Sequence, residues 1–496
     1  MKGVIEKNIS PNEIVSMCEH VYAQGDRMQM AYAWYPEKNT APEIIYISSI
    51  KDQRPFHAYR CQLNNDKKIT SLTNASPLLG WYEREMQDLF GISFFDHPEN
   101  VKLVLHEGVQ SEYAPMDPNY PREKLISFSR QPWQLAEMKN PELQLLPFGP
   151  VRAGVCESAE FQYLYAGESI LHFDERLFFK HRGMEKKFEG LTPELGAILA
   201  QRVSGVGSVA HALAFSQAVE TACDVEIPLR AKQWRVILAE LERLYNHLHY
   251  LGHLCHTTTL KVGEAQGKIL EEQLKQLNAQ VTGSRFLRDI ITPGGLRREP
   301  NIEPVKYQLK KLQADILKYC NQLNNTNSHI DRLIGTGLLT NQVAFDEGAT
   351  GPVARASNIA TDFRLKHPYA SYNQNNFIIP VLEAGDAFAR MQIRIAEITE
   401  SFLIVEQTIS SLENGFIFRE FKTIPLSEGL GWAESARGGL FYAIHIDTAG
   451  KLARVKIKSP SFSNWRVFPF TVDETNMMDY AINEASFGST VAGCDR

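Results

Sequence analysis

Residues 202–211 read RVSGVGSVAH, a glycine-bearing loop between helical flanks, and three chemistries are open to it: a phosphate cradle, close helix packing, or a metal site whose ligands are gone. A phosphate loop calls for GxGxxG directly after a strand and opening a helix, so that backbone N–H groups meet the anion. Here the glycines are only Gly205 and Gly207, and the flanks ELGAILAQR and ALAFSQAVE carry helical periodicity, so the nucleotide reading falls away. In NHLHYLGHLCH, His249, His253 and His256 recur at i, i+4 and i+7 on one face of a helix, a spacing at which imidazoles can gather about a metal. The seven cysteines, at 18, 61, 156, 223, 255, 320 and 494, form no CxxC. That spacing argues against a disulfide framework, a zinc ribbon and an iron–sulfur cluster held by this chain alone.

The elements that must position these groups fall into two textures. At 496 residues the chain is long enough for two to four domains, at roughly 150 residues each. Its 44% hydrophobic and 22% charged content is that of a soluble globular protein, and a net charge of -6 leaves no basic footprint for nucleic acid. No apolar run approaches the roughly 20 residues that cross a bilayer, and MKGVIEKNIS lacks the apolar core of a signal peptide, so a cytosolic protein that can dock on a membrane complex is expected. Residues 1–108 alternate short strand patterns (MQMAYAWYP, EIIYISSI, FHAYRCQL) with helices at PNEIVSMCEHVYAQ and LLGWYEREMQDLFG, predicting a small α+β domain with an antiparallel sheet. Residues 109–147, rich in proline and charge, read as an extended linker. From 148 to 496, short strands near FGP and FQYLYAGESILHF lead into long amphipathic helices, the first running from LTPELGAILAQ through RVSGVGSVAH to QAVETA. Strands return at GLFYAIHIDTAGKLARVKIKSP, where TAG can turn a hairpin.

Several long blocks then carry a resemblance that covers nearly the whole chain. GWYEREMQDLFGISFFDHPENVKLVL is similar to the signature of the small hydrophilic subunit of respiratory complex I. HRGMEK, AVETACDVEIPLRAKQWRVILAELERLYNHL, VTGSRFLRDIITPGGLR, GPVARAS and GDAFARMQIRIAEI resemble, in order, the large complex I subunit that lines the quinone cavity, and equally its relatives, the large subunits of energy-converting nickel–iron hydrogenases. The resemblance implies an α+β domain followed by a mainly helical domain with small β elements. It also implies a peripheral subunit on the cytoplasmic face of a membrane, partnered by an iron–sulfur small subunit and by antiporter-like membrane subunits. Such a subunit passes electrons from the iron–sulfur partner to quinone or another acceptor, with ion translocation coupled to the transfer and NAD entering only through the wider complex. A non-catalytic scaffold joining the two arms is the alternative.

The hydrogenase family writes the opening segment RxCGxCxxxH and its C-terminal box DPCxxCxxR, whose four thiolates hold nickel and iron. This chain keeps Arg202, Gly205, His211 and Arg496 but places Ser204, Gly207, Thr490 and Gly493 where the thiolates belong, with Cys494 one position out of register. The resemblance therefore implies a vestigial metal site, with no metal or other cofactor bound by this chain. Its small residues predict that STVAGCDR packs beside the Ser204 loop as synthesised, with Arg496 paired inside. The complex I pattern carries a histidine in the loop after FGP, and Arg152 stands near that place. Glu185 matches the glutamate that in hydrogenases passes protons near the metal. It can do so here if burial raises its pKa, or it can simply complement a helix start. His181 opens the same motif as either a site residue or a structural one, His211 either lines the cavity or is a satisfied core histidine, and Arg355 either holds an anionic group or closes an internal salt bridge. Relatives carry histidines near His247 and His256 in a helix that is not a metal site.

Overall fold

Strand β2 (Arg27–Trp34) pairs antiparallel with β3 (Glu43–Ser49), and β3 antiparallel with β4 (Phe56–Gln62), as their apolar runs lead one to expect. The computed structural model describes residues 1, 3–49, 55–109, 113–121, 143–152, 157–473 and 475–496. A fourth strand, β1 (Val4–Ile9), adds to β4 in parallel, so the sheet has the order β1-β4-β3-β2 and is mixed rather than antiparallel. VIEKNI escapes a sequence reading because it is a largely exposed edge strand without alternation. Helices α1 (Ile14–Ala23) and α2 (Gly80–Phe90) belong to this domain, and β2 is buried along nearly all its length.

Much of the segment read as a linker, residues 110–112 and 122–142, lies outside the described residues. Strand β5 (Gln144–Phe148) already pairs with β6 (Glu160–Ala166), and β6 with β7 (Ser169–Arg176), so the next sheet begins inside that segment. The helical pattern that follows is interrupted. Helix α3 (Met184–Lys187) is one turn, and α4 (Pro193–Ala200), capped by Thr192, ends well before α5 (Ser208–Ala222). The expected continuous helix fails at the glycine-bearing loop, because buried Glu242 accepts from the Val209 and Ala210 N–H groups and so fixes a new helix start there.

Long helices follow as the periodicity predicts: α6 (Leu229–Thr257), α7 (Lys261–Thr282), α8 (Glu303–Asn324) and α9 (Ala387–Ser410). Strands β8 (Glu428–Ser435), β9 (Gly438–Ile446) and β10 (Leu452–Lys458) form an antiparallel sheet against α5. Gly429 and Gly431 make that contact possible. A Cβ at either would fall on a carbonyl oxygen of α5, at Ala218 or Ala214. Three short helices close the chain: α10 (Pro460–Val467), α11 (Tyr480–Phe487) and α12 (Val491–Asp495). The architecture is α+β, and no described helix is long and apolar enough to cross a membrane.

The N-terminal sheet and the rest of the chain share a buried seam. Phe56 packs on His367, Trp432 and Phe441, and Trp34 stacks on His445 with ring centroids 4.2 Å apart. Arg60 binds Glu428 at 2.6 and 3.0 Å, and the Lys458 ammonium donates to Gln29 at 2.9 Å.

Candidate functional site

The loop before α5 and the C-terminal tail meet, and Arg182 ties them. Its guanidinium donates to the carbonyls of Val203 at 2.6 Å and Ala492 at 3.0 Å, while its backbone N–H donates to Arg496. Ser204, Gly207 and Gly493 thereby line one cavity of about 20 Å³, room for a single water, together with His211, Glu242 and Arg437. Thr490 stands just outside it. Its hydroxyl accepts from the Gly493 N–H as the cap of α12 and lies 3.3 Å from Ser461 Oγ. A Cβ on Gly493 would come within 2.6 Å of the Thr490 hydroxyl, and one on Gly207 within 3.2 Å of the His211 ring. The two glycine positions are thus crowded by their neighbours. Cys494 is buried among them, and burial pushes its thiol well above the usual range.

His211 bonds Tyr442 Oη through Nδ1 at 2.8 Å, and desolvation drops its pKa to about 3, so the ring is neutral. Glu242 is the opposite case. Burial lifts its carboxyl to about 7 although two backbone N–H groups bond it. A folded-state pKa raised above the ordinary carboxyl value of 4.5 gives stabilisation that is present below about pH 4.5 and lost as pH climbs to 7. Glu242→Gln should therefore flatten the pH dependence of stability in that window by about 3 kcal/mol relative to the parent. Thermal melts of both proteins between these pH values measure it, and identical slopes would show that Glu242 does not titrate there.

Glu185 lies on α3, with its carboxylate turned to strand β10 and the C-terminal tail. Arg454 reaches it at 2.8 Å, Lys456 at 3.3 Å and Arg496 at 3.6 Å, and the Ile457 N–H donates to it at 3.1 Å. Glu85 of α2 shares two of those cations, Lys456 at 2.5 Å and Arg496 at 2.6 Å. Burial alone would raise the Glu185 pKa, as the sequence led one to expect, but the three cations outweigh it and hold the carboxyl at about 2. In this arrangement Glu185 is a fixed anion, not a poised proton carrier. Beside it lies a second cavity, about 250 Å³. Its walls include Glu85, His181, Glu185 and Arg496 together with Leu89, Leu105 and Met116.

Arg355 and Arg152 lie in neither cavity wall. Arg355 is wholly buried in an internal network, bonding Glu397, Glu434 at 3.0 Å and Asp362 at 3.4 Å. Arg243 and Arg364 complete the network by pairing with Glu240 at 3.1 Å, and neutral His247 donates to Glu397 at 2.8 Å. Arg152 pairs with Glu484 at 2.9 Å and lies over the Phe161 ring. On α6, the parallel rings of His249, His253 and His256 stand 6.4 and 6.1 Å apart, and the outer two turn to Glu271 and Glu264 of α7. No group of three or more histidine, cysteine or acidic side chains among the described residues is placed to hold a metal ion.

Respiratory-chain NADH dehydrogenase models match in two parts, the 30 Kd subunit over residues 8–125 and the 49 Kd subunit over residues 269–428 and 416–496; the nickel-dependent hydrogenase model matches residues 182–278. NADH-quinone oxidoreductase subunit 4 of Thermus thermophilus is 30% identical over 75% of this chain and 98% of its own. The chain belongs to the complex I-like family of fused 30 and 49 Kd subunits. It is also similar to formate hydrogenlyase subunit 5 of Escherichia coli, 27% identical over 100% of this chain and 89% of its relative. A chain of the membrane-bound sulfane sulfur reductase, an archaeal respiratory membrane complex, superposes with a TM-score of 0.68 at 25% identity, covering 73% of this chain and 100% of that one.

The family motifs mark Glu185 but not its surroundings. Lys456 and Arg454 sit in a strand pattern, ARVKIK, that reads as half solvated, and Glu85 sits in the other domain. Glu242 reads as one more polar residue of α6. Its one signal is that it follows Glu240 by two positions, so both cannot face solvent on one helix.

Proposed function

We propose that this chain is the electron-accepting-site subunit of a membrane-associated, complex I-like oxidoreductase. It lies on the cytoplasmic face, takes electrons from an iron–sulfur partner subunit, and delivers them to quinone or another acceptor beside the vestige of a nickel–iron centre. Ion translocation by antiporter-like membrane subunits is coupled to the transfer. The observation that carries this reading is the pair of cavities, one closed where the metal would be and one open beside a buried ionic cluster. Nickel does not fit the closed one. Ser204 and Thr490 offer hard hydroxyls, the latter engaged as a helix cap, and Gly207 and Gly493 offer no side chain, whereas the metal pair calls for soft thiolates. The chain's own contribution is then electrostatic. Glu85 and Glu185 hold Arg454, Lys456 and Arg496 in a fixed array, ordered before any acceptor arrives.

The test uses the purified complex, offered quinone, ferredoxin and NADH in turn. Turnover without stoichiometric nickel by elemental analysis is expected, and Glu185→Gln should lower turnover about tenfold or more in a complex that still assembles. Nickel at one per chain would overturn the vestige. Full turnover in a well-assembled Glu185→Gln complex would favour the scaffold.

A further inference from the structure

Away from both cavities described above, charge is out of balance where β2 meets the end of β10. Arg27 of β2, Lys458 of β10 and Arg466 of α10 line one small cavity together with Gln29, Tyr82, Ser463 and Glu347. It has about 10 Å³, room for a single guest the size of a water. All three cations are more than nine-tenths buried.

The three are not equally provided for. Arg466 has a counter-ion, the Glu347 carboxylate at 2.6 Å. Lys458 Nζ donates to the Gln29 side-chain carbonyl at 2.9 Å and lies 4.9 Å over the Phe441 ring. Burial, with Arg27 nearby, pushes its pKa down to about 7, so this ammonium is on the edge of giving up its proton. Arg27 has no such escape, because a guanidinium stays charged in a protein. Its Nη1 reaches only the Phe345 carbonyl, at 3.5 Å, and the group stands 5.6 Å from the Phe345 ring. No carboxylate among the described residues pairs with Arg27, and an uncompensated buried charge is costly. A water in the cavity would accept from these N–H groups and leave the charge as it is. An anion answers both needs.

We propose that this cavity is a binding site for one monovalent anion of halide size, chloride, held by Arg27, Lys458 and Arg466. The anion is the missing counter-ion of Arg27 and keeps Lys458 protonated, and it joins the N-terminal sheet to β10 and α10. An oxyanion as large as phosphate exceeds the space. The site shares no wall residue with the cavities at Gly207 and Glu185, so it stands apart from any electron transfer there.

Two measurements on the purified full chain test it. Crystals grown in sodium bromide should show one anomalous scattering peak among the three side chains, bromide being close to chloride in size; a cavity without that peak would overturn the proposal. In solution, sodium chloride should raise the melting temperature by roughly 1–3 °C over sodium gluconate of equal ionic strength and should do so saturably, since gluconate is too large to enter. Arg27→Met and Lys458→Met should each abolish that difference. In gluconate, Arg27→Met should melt at or above the parent, because it removes a buried charge that has no partner. A melting temperature that falls equally in both salts would make Arg27 a structural support alone and overturn the proposal, as would a chloride response that persists in both variants. If Arg27→Met does not fold, Lys458→Met carries the comparison, and the bromide peak in the parent depends on neither.

Discussion

Replacing Arg355 by methionine is expected to destabilise the chain by roughly 3–5 kcal/mol, the cost of removing one partner from a buried ionic network. The guanidinium is fully buried and shared by three acids, Glu397, Glu434 and Asp362. It is one of three arginines set against four carboxylates, Glu240, Asp362, Glu397 and Glu434, so its loss leaves acids without counter-charge where water cannot reach. Glu434 already shows the strain of that balance, its carboxyl lifted by burial and by the neighbouring Asp362. Denaturant unfolding of the variant measures the effect. Removing Glu397 as well, in Arg355→Met with Glu397→Met, should restore part of the loss, because the pair and not the single charge suits the interior. A cost below about 1 kcal/mol in the single variant would mean that the acids take up protons and absorb the change.

The second large effect is at the tail. Deleting residues 487–496 should cost several kcal/mol, in the range of major core damage. Phe487, Val491 and Cys494 are buried, Glu157 accepts from the Val491 and Ala492 N–H groups at 2.6 and 3.0 Å, and Asp495 accepts from the Lys180 N–H at 2.8 Å. Loss of Arg496 also strips Glu85 and Glu185 of a shared cation across the domain seam. Thermal unfolding and assembly of the truncated chain report it, and a normal melting temperature with full assembly would show that these contacts contribute little.

What the sequence made legible follows from distance along the chain. Helices α6 to α9 are amphipathic over many turns, so periodicity finds them, and the Ser204 loop and the tail could be set side by side because both resemble boxes of one metal site. Strand β8 was not legible, since EGLGWAES owes its strand form to glycines that let it lie against α5, a relation visible only in three dimensions. The same limit explains Glu185. Its residue type and helix-start position were readable, but the sign of its pKa shift was not, because it is set by Arg454, Lys456 and Arg496, far along the chain. Arg355 shows the converse. Its type was compatible with ligand binding or with an internal salt bridge, and only the burial of Glu397, Glu434 and Asp362 around it decides where its charge is spent.

Glu85 and Arg496 touch across 411 positions of sequence. On a ribosome adding about 5–20 residues per second, about 20 to 80 s separate the emergence of the two. In that interval the N-terminal sheet can pair its own strands, all within residues 4–62, yet Glu85 must wait for Lys456 and Arg496, and the aromatic faces of Trp34 and Phe56 must wait for the 428–446 hairpin. Docking of the N-terminal sheet on the rest of the chain is thus among the latest and least local events of folding. The nascent chain, with an apolar sheet face uncovered for most of its synthesis, is the species that chaperones have to shelter.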